Sequence, residues 1–118
     1  MRWALPAVAL ALLGLAGCEA MHDKTDYHRH SMSSLQESRT EPGVLLFEVT
    51  TSSLFPADSE AAEAERMKWL EGWLDRLDFC PLGYEVLSRE KIDPMEVNAY
   101  RHDLRYRVRC AGEPPPED

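Results

Sequence analysis

From Tyr100 to Cys110 the chain reads YRHDLRYRVRC, and no other stretch limits the fold so tightly. Arginine stands at 101, 105, 107 and 109, Asp103 interrupts the series, and the residues between are mostly apolar. A period of two belongs to an extended strand, whose successive side chains leave on opposite faces. Tyr100, His102, Leu104, Tyr106, Val108 and Cys110 then share one face; Arg101, Asp103, Arg105, Arg107 and Arg109 share the other. The first set needs an apolar cover and the second needs none. This is the pattern of an antiparallel sheet packed on one side only.

The cover is found upstream. In SSLFPADSEAAEAERMKWLEGWLDRL, Met67, Leu70, Trp73, Leu74 and Leu77 recur at helical spacing, with Trp69 on the flank of the stripe. Asp58 or Ser59 suits the N-cap, Glu60 and Glu63 suit the positive end of the helix dipole, and Asp78 to Pro81 stops the helix. Gly72 costs about 1 kcal/mol relative to alanine inside a helix, and close packing against the sheet would account for it. VLLFEVTT, from Val44, reads as a strand before the helix, and Tyr84 to Arg89 as a short strand after it. A polar connection, KIDPMEVN, leads to the alternating segment. The order is β-α-β-β, and the fold expected is α+β: a small two-layer sandwich with one helix on a three-stranded sheet. The length and regularity of the last strand favour a central place for it.

The N-terminus speaks to location. MRWALPAVALALLGLAGC has one basic residue, Arg2, then an apolar run from Trp3 to Ala16, then Gly17 and Cys18. The run is too short to span a bilayer and is followed by small residues, as in a secretory signal peptide. Its end, Leu15-Ala16-Gly17-Cys18, resembles the lipobox of bacterial lipoproteins. The resemblance covers residues 1 to 18 alone, and the rest of the chain resembles no family. It implies cleavage after residue 17 and lipidation of the Cys18 thiol, with the acyl chains holding the protein to a membrane. Glu19 stands where many inner-membrane lipoproteins carry aspartate, which favours the periplasmic side of the outer membrane. Removing residues 1–17 takes away Arg2 and no acid, leaving twelve Lys and Arg against 21 acids and a formal charge of −9. Such a chain is a poor ligand for nucleic acid, or for anionic lipid through charge.

An exported chain sits in an oxidising compartment. With Cys18 taken by lipid, Cys80 and Cys110 remain, and a disulfide between them is expected. A hairpin whose paired positions sum to 190 would set Val86 against Leu104, Tyr84 against Tyr106, Glu85 against Arg105 and Cys80 against Cys110. Residues 18–43 are rich in Ser, Thr, His and charge, without sustained apolar period, and read as the lipidated cysteine followed by a flexible tether. Residues 112–118 form an acidic, proline-rich tail. The folded domain expected is 44–111, a size at which a covalent staple matters.

Three classes of function are open to this chain. Arg101, Arg105, Arg107 and Arg109 form a basic stripe on an acidic protein. They are either a solvated sheet surface, partly neutralised by Glu48 and Glu85, or a docking face for an acidic envelope partner. His22, His28 and His30, with Asp23 and Asp26, offer imidazole and carboxylate to a transition metal, but Arg29 stands between two of the imidazoles and a tether pre-organises nothing. Catalysis is the weakest of the three. Ser88 would face His102, yet Asp103 points to the opposite face and cannot orient that imidazole, and no nucleophile elbow or phosphate-binding glycine loop is present. The favoured reading is a lipid-anchored binding or accessory module without an enzymatic activity or cofactor.

Overall fold

The computed structural model describes residues 25–112; the signal segment, Cys18, His22 and the tail from residue 113 lie outside the described residues. The elements are a helix α1 over residues 25–32, then β1 (Ser33–Glu37), β2 (Leu45–Val49), α2 (Glu60–Arg76), β3 (Tyr84–Lys91) and β4 (Leu104–Cys110). The fold is α+β, with a four-stranded antiparallel sheet of order β1-β2-β4-β3. The strand carrying the arginines lies between β2 and β3.

Burial alternates along β4 as the sequence demands. Leu104, Tyr106, Val108 and Cys110 are buried and meet Leu45, Phe47, Val49, Trp69, Leu70 and Leu74 in the core; the arginines between them are half-buried. Burying a large apolar side chain contributes roughly 1.5–3 kcal/mol, so this row and the α2 residues above it supply most of the apolar stabilisation. Ser59 is the N-cap of α2, its hydroxyl accepting from the Ala62 N–H. The helix faces the sheet through Ala62, Arg66, Trp69, Leu70 and Leu74. The buried stripe is therefore turned from the expected one: Trp69 is wholly buried at its centre, and Leu77 is exposed.

The reason for that rotation lies in the segment expected to be a flexible tether. Residues 18–43 are structured where described: α1 packs on α2, and β1 adds a fourth strand beside β2. The composition misleads because the buried groups are polar and find partners far along the chain. Arg29 is buried with its guanidinium 5.1 Å from the centre of the Trp73 ring, a cation–π contact. Ser33 is buried, its hydroxyl bonding the Arg29 carbonyl and accepting from the Trp73 indole N–H at 2.9 Å. Gly72 is where the two helices touch. A Cβ there would stand 2.9 Å from Arg29 Nη1, so close packing against α1, not against the sheet, explains the glycine.

The β3–β4 register also differs from expectation. Tyr84 pairs with Cys110 and Val86 with Val108, a shift of four residues from the expected hairpin. Beyond Val86 the register slips by one more residue, so Ser88 meets Arg107 and Arg89 meets Tyr106. This bulge sends Arg89 to the helix side. The disulfide between Cys80 and Cys110 forms all the same, with Cα atoms 4.7 Å apart. Cys80 is not in the strand: it sits at φ +55° in a turn closed by Gly83 N–H to the Cys80 carbonyl, and the turn brings it back to the end of β4.

Candidate functional site

The face of the sheet that carries no helix gathers most of the arginines singled out above. Arg105, Arg107 and Arg109 leave β4 on this side. Register sets Glu48 and Leu46 of β2 beside Arg105 and Arg107, and Glu85, Ser88 and Glu90 of β3 on the other flank. Arg101 does not join them. The chain there is a loop with Arg101 exposed at φ +54°, because β4 begins only at Leu104. Asp103 likewise leaves the row and bonds the Thr51 N–H at 2.7 Å and the Thr51 hydroxyl.

Arg105 and Arg107 are already paired within the chain, whereas the buried Nε of Arg109 has no hydrogen-bond partner. Arg105 Nε donates to Glu48 at 2.7 Å, and its other nitrogens reach Glu96 of the β3–β4 loop. Arg107 binds Glu41 of the β1–β2 loop through two nitrogens, one at 2.9 Å, and donates to the Ser88 hydroxyl. These pairs hold the Glu41 and Glu96 carboxyls below the ordinary carboxylate range, chiefly through the arginine hydrogen bonds. Those to Glu96 hold the Arg105 guanidinium more firmly charged. Both loops are thus clasped over the sheet by charge. Between the β3–β4 loop and the β1–β2 strands lies a groove of about 230 Å³, whose lining includes Gln36, Glu48 and Arg105 with Val97 and Tyr100 of that loop. Met95, Val97 and Tyr100 are largely exposed on that loop, Val97 at 99%.

A second polar cluster, missed in the sequence, sits under α2. Arg66 is wholly buried and donates to Glu63, to the Tyr106 hydroxyl at 3.1 Å, and to the carbonyls of Phe55, Pro56 and Ala57. Arg89 approaches from β3, bonds the same hydroxyl at 3.3 Å and forms an ion pair with Glu63 at 3.1 Å. Burial pushes the Tyr106 phenol up, and the Glu63 hydrogen bond adds to it. Every arm of Arg66 has a partner, so the cluster clamps the β2–α2 loop. Its signal was in the spacing: 62, 66, 69, 70 and 74 trace one helix face, and position 66 is the charged member of it.

The other expected pairs are not assembled. Ser88 and His102 lie apart, since Ser88 is opposite Arg107 while the His102 Nδ1 bonds the Thr50 hydroxyl at 2.8 Å. His102 is buried, which lowers its pKa below the ordinary 6.5. The rings of His28 and His30 pack on aromatic neighbours: His28 lies 5.1 Å from Phe55, and His30 lies 5.4 Å from Trp73. Among the described residues no group of three or more His, Cys, Asp or Glu side chains is placed to hold a metal ion. No known family, characterised protein or solved structure matches this chain.

Proposed function

We propose that this protein is lipid-anchored in the bacterial cell envelope, facing the periplasm, and that its domain is a binding or accessory module rather than an enzyme. The observation that carries the reading is the Cys80–Cys110 disulfide. It accounts for two of the three cysteines and leaves Cys18, at the end of Leu15-Ala16-Gly17-Cys18, as the single thiol available for acylation. A disulfide also suits an oxidising compartment. Mass spectrometry of the N-terminal peptide should find Cys18 as the first residue, carrying acyl chains. Cys18→Ser should release the protein from the membrane fraction or leave it unprocessed; a processed, membrane-bound variant would sink the anchor.

The module's contact surface in this reading is the helix-free face, with the groove beside Val97 and Tyr100 and an acidic envelope protein as partner. Glu41 and Glu96 already occupy Arg107 and Arg105, so an acidic partner has to displace them. Cross-linking in intact cells followed by pull-down identifies that partner. Glu41→Gln with Glu96→Gln should then strengthen its capture, and Arg105→Glu with Arg107→Glu should abolish it. An unchanged partner list in both variants would leave this face as solvated surface.

A further inference from the structure

The anchor and the start of the fold are much closer along the chain than the polar composition of residues 19–43 suggests. Helical structure is present from residue 25, seven peptide links after Cys18. Seven links span at most about 25 Å in any conformation. A compact domain of this size, residues 25–112, is about 30 Å across, from the scaling of radius of gyration with length. The link is shorter than the body it holds. With Cys18 in a bilayer, α1 cannot lie on the far side of the domain.

What α1 and the β2–α2 loop packed against it present there is aromatic and aliphatic. Tyr27 is 70% exposed and Leu54 is 69% exposed. They flank a row of packed rings in which Tyr27 meets His28 at 5.8 Å, His28 meets Phe55 at 5.1 Å, and Phe55 meets Trp69 at 5.0 Å. The row roots the exposed ends in the core, so they project from a rigid base. Tyrosine, with an apolar ring and a hydroxyl tip, suits the headgroup level of a membrane. We infer that the surface formed by α1 and the β2–α2 loop, with Tyr27 and Leu54, rests on the lipid headgroups and fixes the domain's orientation. The β3 side of the sheet, at the opposite edge from β1, is then turned toward the periplasm. This inference rests on the proposed acylation of Cys18.

The test uses the acylated full chain in phosphatidylethanolamine–phosphatidylglycerol vesicles, with a benzophenone amino acid replacing Tyr27, Leu54 or Leu82 in separate variants. Leu82 is the control: it is exposed, in the turn that opens β3, at the corner diagonally opposite the α1–β1 junction. Illumination should give several-fold more lipid adduct at 27 and 54 than at 82. Inserting twenty Gly and Ser residues between Ala20 and Met21 adds a flexible segment of about 25 Å average span, and should erase that difference while the protein still floats with the vesicles. Equal adducts at all three positions in floating, acylated protein would overturn the orientation and leave the anchor standing. Protein adducts at 27 in intact cells, with no lipid adducts, would give this surface to a protein partner instead. A chain without acyl groups that fails to float would remove the anchor and the orientation together.

Discussion

The two faces of one strand differ in how they treat charge. Beneath α2, Arg66 is withdrawn from water and gives up its hydration for five separate acceptors on Glu63, Tyr106 and the 55–57 backbone. On the open face, Arg105 and Arg107 hold carboxylates from the flanking loops and keep contact with solvent. A buried cation is costly to leave half-satisfied, whereas exposed pairs gain little from their attraction. The covered face should therefore decide whether the domain folds, and the open face should be freer to change.

The largest effect belongs to the staple on the covered side. Replacing Cys80 and Cys110 by serine should cost about 3–4 kcal/mol in the chain-entropy treatment of a loop this long, read as a fall in the denaturant midpoint under non-reducing conditions. Free thiols at both positions in freshly isolated protein would remove this part of the comparison. Arg66→Ala should follow at about 3 kcal/mol, since it strands the part-buried carbonyls of Phe55 and Ala57 and leaves a cavity beneath α2; Arg105→Ala measured beside it should cost far less.

The helix contact gives a smaller, sharper test. Alanine at position 72 should gain about 1 kcal/mol from helix propensity, yet it collides with Arg29. Gly72→Ala should thus destabilise the native chain and stabilise an Arg29→Ala background, a sign change that a double-mutant cycle reads directly. Additive effects would mean that α1 does not seat against α2.

Acid should separate the regions as well. The His102 pKa is depressed by burial, so the unfolded chain takes up its proton first, and stability falls as pH drops below about 6.5 toward the lowered folded value. Glu41 and Glu96, depressed from 4.5, lose their contribution only below that pH, and their exposure keeps it small. His102→Gln should flatten the stability profile just below pH 6.5 and leave the acid limb in place. The smallest effect is expected for Glu41→Gln, which should leave the melting temperature unchanged within error; a clear fall would show that the clasp over the open face is structural.

The alternation from Leu104 to Cys110, the α2 helix and the disulfide were all legible in the sequence, because a period shows within a few residues and Cys80 and Cys110 were the two cysteines left to pair once Cys18 was set aside. The helix at 25–32 and β1 were not. Arg29 and Ser33 look like solvated residues until Trp73, some forty positions away, supplies their partner. The hairpin register failed for a related reason: it assumed that Cys80 must pair within a strand, whereas a left-handed turn at Cys80 delivers the sulfur from outside the ladder. At the candidate site, the arginines of β4 were visible as a pattern, but the loops that close on them were not, since Glu41 and Glu96 carry no periodic signal.

The slip in register between Val86 and Ser88 has a consequence for how these molecules meet one another. β3 is an outer strand, and a straight outer strand offers a row of unmatched donors and acceptors on which a second sheet can grow. The extra residue interrupts that row and bends the strand. Glu85, Glu90 and Lys91 add repulsion and hydration along the same border. Copies crowded on a surface therefore find no template here for fusing sheet to sheet.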